Sequence, residues 1–483
     1  MKKRFYMKIN KIYILIMIVL ILGISFFGSG ALTGCVNMRT ASGGSESVSQ
    51  PGGKPDIANI DRLFSFLAEN NRALGSISVF WDGEEIYSGQ VGYRDQANDL
   101  YIDAGTEFRI GSISKTFLSV VIMQMVEEGS LTLETKLSDF YPEITNSEII
   151  TLRHMLQHRS GIYNYTDDET FPEWMFTHVN RENLLHMIAA YESIFEPGTD
   201  ESYSNSNFFI LALIAESIDG IIYEEIIQRR IAEPLGLRNT YVGGAVNPQR
   251  NEALPYAFTG EWVEIITFDP SVIFGAGDIV STPYDLNVFF SGLFNGALVS
   301  ANSLDEMTNT GGSISGSLGL GLIPVNFYYR TGYGHTGGMP GFQSFSFYYP
   351  AERISISYTT NGIRLSMNNI LIEVLSSIFI PNYEVPVIEE MLMLPLEVLE
   401  RYIGVYESPD LPLLIHIFVD NGILMAQAEG QSAFPLDAID EFNFVFEPAL
   451  IHIEFFPESG EMTMTQAGYV YEFYMIDLND RFK

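Results

Sequence analysis

The pattern of apolar and polar positions divides the chain into a helix-rich middle part and strand-rich flanks. Apolar residues at helical spacing predict helices over residues 56–70, 112–128, 152–158, 208–217 and 368–377. Alternating apolar and polar positions predict strands within residues 76–93, with a hairpin turn at Asp82-Gly83, and within residues 333–350 and 353–361. Strands at both ends of this region with helices between them predict one α+β sheet built from distant parts of the chain.

A change of pattern near residue 381 predicts a second folded unit. Prolines at positions 381, 386 and 395 are followed by six short alternating stretches, with turns at residues 420–422 and 458–460. Short strands of this kind form small antiparallel barrels or sandwiches, and we favour a barrel. The predicted units are residues 56–380, a Pro-containing linker at 381–395, and a barrel at 396–483.

The first 34 residues have the pattern of a bacterial export signal. A basic start, MKKRFYMKINK, precedes an apolar run at residues 12–27 and the small residues GSGALTG. An uncleaved membrane anchor is the alternative. Leu32-Thr33-Gly34-Cys35 resembles the lipobox of bacterial lipoproteins, which implies lipidation of Cys35. Residues 35–55 are Ser/Gly-rich and are expected to form a flexible tether.

Charge and cysteine content exclude some partners and some sources of stability. The chain has 26 basic and 60 acidic side chains, for a formal charge of −34. Nucleic acid and bare anionic membranes are therefore poor partners for the folded part. Because Cys35 is the only cysteine, disulfide bonds within the chain cannot stabilise the fold.

The stretch GSISKTF at residues 111–117 is a candidate for nucleophilic catalysis. Ser112 and Lys115 are three residues apart at the start of a predicted helix, which places their Cβ atoms about 5–6 Å apart on one face. The free N–H groups of a helix N-terminus favour developing negative charge. A solvated lysine at an ordinary helix start is the alternative. A phosphate-binding P-loop is excluded, because Ser114 stands where that motif requires glycine before the lysine.

Two further stretches complete a recognisable series. Tyr203-Ser204-Asn205 lies on a predicted loop before a helix, and His335-Thr336-Gly337 lies in a Gly-rich strand. In the order Ser-x-x-Lys, Tyr-x-Asn, His-Thr-Gly, the chain resembles the serine penicillin-recognising hydrolases: class C β-lactamases, D-alanyl-D-alanine carboxypeptidases and related D-peptidases and esterases. The resemblance covers about residues 56–380. An ordinary Asx-type loop with a packed ring is the alternative for Tyr203 and Asn205.

The resemblance implies a fold and a role for each matching residue. It implies an antiparallel sheet flanked by helices, with an inserted all-helical region. Ser112 would be the acylated nucleophile, and Lys115 and Tyr203 would share the acid and base work. Asn205 would hydrogen-bond Lys115 and the substrate amide. The strand with His335, Thr336 and Gly337 would pair with the substrate, and the N–H groups of Ser112 and Gly338 would form the oxyanion hole.

Histidine at position 335 departs from the lysine that many β-lactamases have there. An imidazole is mostly uncharged at neutral pH, so the grip on a substrate carboxylate should weaken. Arg330 could replace that cation, although a solvent-facing arginine is favoured. Within the family, His-Thr-Gly is similar to what carboxypeptidases and D-amino-acid peptidases have, which favours a peptide bond next to a D-residue.

The predicted protein is a lipid-anchored serine hydrolase on the outer face of the bacterial cytoplasmic membrane, with a small peptide, ester or lactam as substrate. No metal or organic cofactor is expected; His154 and His158 have a chelating spacing, but no third ligand is evident. The alternatives are an esterase or weak β-lactamase on the same machinery, a catalytically inactive relative, and a lipoprotein that senses cell-wall fragments or β-lactams without turnover. The sequence leaves the oligomeric state open.

Overall fold

The computed structural model describes residues 55, 57–259, 261–310, 318–381, 383, 392, 394–409, 411, 414–420, 422–428, 433–466 and 469–476. The predicted signal peptide, Cys35, nearly all of the tether and most of the 381–395 linker lie outside these residues. Within the described part, no helix is long and apolar enough to cross a membrane.

The central sheet combines strands from both ends of the first unit, as predicted. Its antiparallel order is β10-β11-β12-β13-β1-β2. The bounds are β1 Ala73–Trp81, β2 Glu84–Val91, β10 Ile323–Phe327, β11 Arg330–Met339, β12 Phe342–Tyr349 and β13 Ile354–Ile363. Asp82 and Gly83 both have positive φ angles at the β1–β2 turn, which confirms the predicted hairpin.

Helices cover both faces of this sheet. The α-helices of the described residues are α1 Ala58–Glu69, α2 Ser114–Glu127, α3 Leu152–Leu156, α4 Phe171–Trp174, α5 Arg181–Ala190, α6 Asn205–Asp219, α7 Tyr223–Ile227, α8 Glu233–Leu235, α9 Pro283–Phe294, α10 Ala301–Thr308, α11 Met367–Phe379 and α12 Leu396–Leu399. Apolar residues of α1 and α11 share one buried cluster with the sheet. On α9, the Asn287 amide donates to the Ser78 carbonyl at 2.8 Å and accepts from the Ser357 hydroxyl at 2.8 Å. This double covering explains why nearly every residue of β1 is buried.

Helix α2 is the buried centre of the helical region. Its residues from Ser114 to Met123 are all buried, and Phe117 stacks on Phe289 of α9 with the ring centroids 3.7 Å apart. The predicted 112–128 helix begins as a 3₁₀ turn at Gly111–Ile113 and continues as α-helix from Ser114. Helix α6 is longer than predicted and ends at Gly220, whose left-handed backbone terminates it.

Three small sheets connect these layers. The order β5-β9-β6 joins Phe108–Arg109, Ile279–Ser281 and Tyr241–Val242. The other two sheets are pairs: β3 Tyr93–Asp95 with β4 Leu100–Tyr101, and β7 Tyr256–Phe258 with β8 Trp262–Glu264. Strand β5 leads directly into the turn before α2, so this sheet fixes where that helix begins.

The C-terminal unit is a closed antiparallel barrel, as predicted. Its described strands are β14 Gly404–Glu407, β15 Leu414–Asp420, β16 Ile423–Ala428, β17 Phe434–Ala438, β18 Asn443–Phe446, β19 Ile451–Phe456, β20 Glu461–Gln466 and β21 Tyr469–Ile476. The hydrophobic pattern missed β14, which is short, and β17, which contains Pro435. Proline lacks the N–H group that a strand ladder uses, and it masked β17 in the pattern.

Buried ion pairs join the barrel to the first unit. The carboxylate of Asp437 on β17 lies 2.6 Å from Arg364 and 3.5 Å from Arg72, and all three side chains are largely buried. The amide of Asn369 on α11 donates to Glu447 at 2.8 Å. The barrel therefore docks near the end of β13. The unit boundaries at 381–395 stay predictions.

Candidate active site

A tight turn at Gly111 presents Ser112 to the pocket. Gly111, directly before it, has φ +51°, and a Cβ atom at this position would lie only 2.7 Å from the backbone nitrogen of Gly338. Glycine is therefore required for the turn to approach β11 so closely. Ser112 is half-buried and lines the pocket beside this strand.

Lys115 lies within hydrogen-bond distance of Ser112, as the sequence spacing predicts. Its Nζ atom is 2.9 Å from the Ser112 Oγ atom and 2.6 Å from the carbonyl oxygen of Ala276. The Lys115 side chain is fully buried. The amine is thus directed at one hydroxyl and held there by one backbone carbonyl.

Burial decides the protonation of Lys115. It lowers the pKa of the amine well below its usual 10.5, because the charged form loses its hydration. The negative charge of Asp278 acts in the opposite direction. Because its pKa is lowered, the Lys115 amine loses its proton at a lower pH than an exposed lysine does. A neutral amine can accept a proton, so Lys115 suits the role of a general base.

Asp278 is a buried carboxyl group that the sequence analysis did not single out. Its Oδ2 atom accepts the Gly275 N–H at 3.0 Å, and the same turn carries the Ala276 carbonyl that contacts Lys115. Its Oδ1 atom is buried with no hydrogen-bond partner among the described residues. Burial raises the pKa of Asp278 to about 7. The stretch GAGDIVSTPYDL contains this residue, but its burial within electrostatic reach of Lys115 is a tertiary feature.

Tyr203 is packed between the lysine and two histidines. Its ring stacks on the His158 ring at 4.3 Å between centroids and lies 6.3 Å from the His335 ring. The Lys115 Nζ atom is 5.0 Å from the Tyr203 ring centroid. Burial raises the pKa of Tyr203, while the adjacent Ser112 hydroxyl has a smaller opposite effect. Tyr203 therefore stays protonated at neutral pH.

His158 supports this aromatic stack rather than pairing with His154. The Ser204 N–H donates to the His158 Nδ1 atom at 2.9 Å, so any proton on the neutral ring lies on Nε2. Burial, with Lys115 next in effect, lowers the His158 pKa well below 6.5. His154 accepts the Thr151 N–H in a helix cap. Among the described residues no group of three or more His, Cys, Asp or Glu side chains lies close enough to hold a metal ion.

Asn205 lines the pocket but makes a different contact from the predicted one. Its side-chain amide donates to the Thr166 hydroxyl at 3.0 Å, and its backbone N–H donates to the Asn164 side chain at 3.0 Å. The expected bond to Lys115 is not among the hydrogen bonds of the described residues, since Lys115 is held by the Ala276 carbonyl instead. Asn205 still lies beside Ser112 and Tyr203 along the pocket.

Strand β11 brings the His-Thr-Gly stretch to the other side of the pocket. A Cβ atom on Gly337 would lie 1.9 Å from the Ile110 carbonyl oxygen, so only glycine lets β11 pack against the segment before Ser112. Thr336 pairs with Phe345 of β12, and Gly338 lines the pocket. The His335 Nδ1 atom contacts the Thr336 carbonyl. Burial lowers the pKa of His335 to about 3, and any positive charge on the nearby Lys115 acts in the same direction.

The pocket itself is mainly apolar and uncharged. It encloses about 610 Å³, part of it open to solvent. Its lining residues are Gly111, Ser112, Thr166, Phe171, Tyr203, Asn205, Phe268, Ile273, Ala276, Gly277, Gly338 and Met339. A mainly apolar pocket with a few converging polar groups is typical of small-molecule sites.

Arg330 is not solvent-facing, which corrects the sequence-based preference. It is 4% exposed, forms an ion pair with the equally buried Glu352 at 3.0 Å, and stacks over the rings of Tyr329 and Phe379. Its charge is neutralised within the core at the start of β11. The arginine therefore does not supply the pocket with a free cation.

Comparison with known proteins identifies the family. The profile of the family described as Beta-lactamase matches residues 60–366, well over half of the chain. The chain belongs to the Beta-lactamase family. As a Beta-lactamase family member with D-alanine hydrolase and D-stereospecific amidohydrolase relatives, it is a serine hydrolase.

Curated relatives of this Beta-lactamase family member differ in how much of their length is matched. The Bacillus subtilis (strain 168) protein named PbpX is 27% identical over 269 residues, which is 56% of this chain and 65% of that protein. Penicillin-binding protein 4* of the same organism is 24% identical, over 82% of this chain and 93% of its own length. The Teichoic acid D-alanine hydrolase of Staphylococcus aureus (strain MRSA252) is 25% identical, over 48% of this chain and 56% of its own length.

Solved structures of the Beta-lactamase fold agree with the architecture. A D-stereospecific amidohydrolase from Streptomyces sp. is 25% identical with a TM-score of 0.59, covering 68% of this chain and all of that one. An octameric penicillin-binding protein homologue from Pyrococcus abyssi is 23% identical with a TM-score of 0.60, covering 86% of this chain and 99% of that one. The second likeness supports the fold alone.

Proposed function

We propose that the chain hydrolyses acyl bonds next to D-amino acids through an acyl-enzyme on Ser112. The observation that carries this proposal is the 2.9 Å approach of the buried Lys115 amine to the Ser112 hydroxyl at the pocket wall. A nucleophile and a base within hydrogen-bond reach are the minimum requirement for covalent catalysis. D-Alanyl-D-alanine carboxypeptidase and other D-peptidase activities fall within this class.

In the proposed mechanism, Lys115 acts as the base and Tyr203 as the proton donor. Ser112 Oγ attacks the substrate carbonyl while the neutral Lys115 amine takes the hydroxyl proton. The bond to the leaving group then breaks, and the protonated Tyr203 hydroxyl passes a proton to the departing nitrogen or oxygen, with the Lys115 ammonium restoring the Tyr203 proton. Water attacks the acyl-enzyme in the second half, releasing the acid and regenerating Ser112.

The glycine-lined edge of β11 is assigned to stabilising the tetrahedral species. Ser112 and Gly338 line the same pocket, and we assign their backbone N–H groups to the oxyanion. Strand β11 would pair with the substrate backbone through Thr336 and Gly337. We assign Asn205 to the substrate amide, with Thr166 orienting its side chain.

Asp278 is proposed as a positioning residue for Lys115, and its replacement predicts a change in pH dependence. Its carboxylate raises the Lys115 pKa, so Asp278→Asn lowers that pKa further. The limb of the kcat/KM profile that reports Lys115 should therefore move to lower pH, while asparagine can still accept the Gly275 N–H. The other titratable groups that interact with the pair are Arg109, Arg181, Tyr165 and Tyr223, through Asp278, and His158 and His335, through Lys115.

The readout is the kcat/KM profile of wild type and Asp278→Asn between pH 5 and 10. A purely structural role predicts equal loss at every pH with no displacement of the limb. An unmoved limb in a folded variant would remove Asp278 from the proposed mechanism.

The D-stereochemistry rests on the relatives' own names, D-stereospecific amidohydrolase and Teichoic acid D-alanine hydrolase. The test compares D-alanine and L-alanine p-nitroanilides. We expect kcat/KM to favour the D-enantiomer by at least ~10-fold, the scale of one or two pocket contacts. Equal or faster hydrolysis of the L-enantiomer would overturn this part of the proposal.

Two further candidate functions use the same site. An esterase or weak β-lactamase would release product from nitrophenyl esters or lactams in preference to D-alanine amides. A sensor without turnover would form a lasting Ser112 adduct and release nothing. Steady product formation excludes the sensor.

We also propose that the chain is exported and held at the outer face of the cytoplasmic membrane by lipid on Cys35. The lipobox-like Leu32-Thr33-Gly34-Cys35 supports this, and Cys35 lies outside the described residues. Cys35→Ser should shift the protein from the detergent phase to the aqueous phase. Unchanged partitioning would refute the anchor.

A further inference from the structure

The charge around the pocket indicates which substrates the site accepts. We propose that it selects substrates with an uncharged leaving group, such as esters, amides and internal peptide bonds, and disfavours a leaving group that ends in a carboxylate. This inference rests on the proposed function and narrows it, because a carboxypeptidase must accept a terminal carboxylate.

His335 does not provide a cation for such a carboxylate. Its side chain is 3% exposed, and its Nδ1 atom faces the Thr336 carbonyl, which can only accept a hydrogen bond. A neutral imidazole with its proton on Nδ1 satisfies this contact. Burial and the nearby Lys115 disfavour protonation of the second ring nitrogen, so the His335 ring is neutral at physiological pH.

Arg330 is directed away from the pocket. Residues five apart in a strand point to opposite faces, so Arg330 and His335 lie on different sides of β11. The guanidinium pairs with Glu352 inside the protein. Moving it to the pocket would leave Glu352 as a buried unpaired charge, which is strongly unfavourable.

Lys115 is committed to the reaction centre. Its Nζ atom bonds the Ser112 hydroxyl and the Ala276 carbonyl, and its side chain has no exposed surface. Among the described residues that line the pocket, none is a lysine, arginine, histidine, aspartate or glutamate. The apolar part of the lining includes Phe171, Phe268 and Met339.

An ionised carboxylate would lose hydration in this pocket without gaining a cation. Such transfers are unfavourable, whereas a carboxamide loses much less. The formal charge of −34 adds a long-range repulsion of anions. Both effects act in the same direction, toward an uncharged leaving group.

The test uses two esters that differ only in this charge. N-acetyl-D-alanine is esterified to glycolic acid in one and to glycolamide in the other, and each rate is divided by the rate of hydroxide hydrolysis to correct for leaving-group reactivity. We expect kcat/KM for the glycolamide ester to be at least ~10-fold higher, which corresponds to about 1.4 kcal/mol. Equal or faster hydrolysis of the glycolate ester would overturn the inference and leave the proposed function standing. Hydrolysis of neither ester would instead count against the proposed function.

A gain-of-charge variant provides the second arm. His335→Lys restores the cation that many β-lactamases have at this position and should reduce the preference to less than about 3-fold, mainly by accelerating the glycolate ester. Hydrolysis of p-nitrophenyl acetate, which has no carboxylate, measures the loss caused by the substitution itself. A preference that stays at its wild-type value in an active variant would contradict the role assigned to charge at residue 335. If the variant does not fold, the wild-type comparison still decides the inference.

Discussion

Ser112→Ala is expected to reduce hydrolysis of D-alanine esters and amides by at least ~10⁴-fold. Removal of a catalytic nucleophile has effects of this size, because the remaining oxyanion donors and binding contacts supply only the residual acceleration. Among the described residues, Ser112 is the hydroxyl that lies within hydrogen-bond distance of the buried Lys115 amine, at 2.9 Å. The measurement is kcat/KM for a D-alanine p-nitroanilide or glycolamide ester.

A serine on α2, seven residues after Ser112, provides the control. Ser119 is fully buried, and its hydroxyl has no hydrogen-bond partner among the described residues. Ser119→Ala should therefore retain activity within a few-fold of wild type. If Ser112→Ala kept more than a tenth of the activity, hydrolysis would depend on another nucleophile.

Lys115→Met is expected to reduce kcat/KM by roughly 10³-fold, within the range attributed to general acid–base catalysis. Methionine fills a similar volume without an amine, so the loss reports proton transfer rather than a cavity. The Ala276 carbonyl loses its hydrogen bond from Lys115, so a small part of the measured loss of activity comes from this structural change. Retention of most of the activity would assign the base to another group, with Tyr203 the first candidate.

The same substitution predicts a change in the pH dependence of stability. Because the Lys115 pKa is lowered in the folded state, the unfolded chain binds more protons. Stability contributed by this group therefore rises with pH up to the unfolded value near 10.5 and falls as the pH drops. Lys115→Met should remove this pH dependence. The melting temperature of the variant minus that of the wild type should therefore be larger at pH 6 than at pH 9.

The hydrophobic pattern predicted the sheet, the main helices and the barrel because these elements repeat a local period. It missed β17, where Pro435 interrupts the alternation, and β14, which is too short to show one. Both omissions result from the sequence of the strand itself, not from its tertiary contacts. The closed barrel could still be predicted, since six of its strands are regular.

The sequence predicts that Ser112, Lys115 and Tyr203 lie close together, because the three motifs occur in the order that the resemblance to a known family implies. Ser112, Lys115 and Tyr203 do lie together, and β11 borders them. The contact between Asn205 and Thr166, the buried Arg330–Glu352 pair and the interaction of Asp278 with Lys115 depend on tertiary packing. No local period encodes such contacts, so they required the structure.

The most direct test of the central claim is mass spectrometry of the intact protein after brief exposure to a D-alanine thioester and to benzylpenicillin, followed by peptide mapping. The account predicts an acyl adduct on wild type, located on Ser112, slow to form in Lys115→Met and missing from Ser112→Ala. An adduct on a different residue, or none with a broad panel of esters and lactams while the protein is folded, would contradict it.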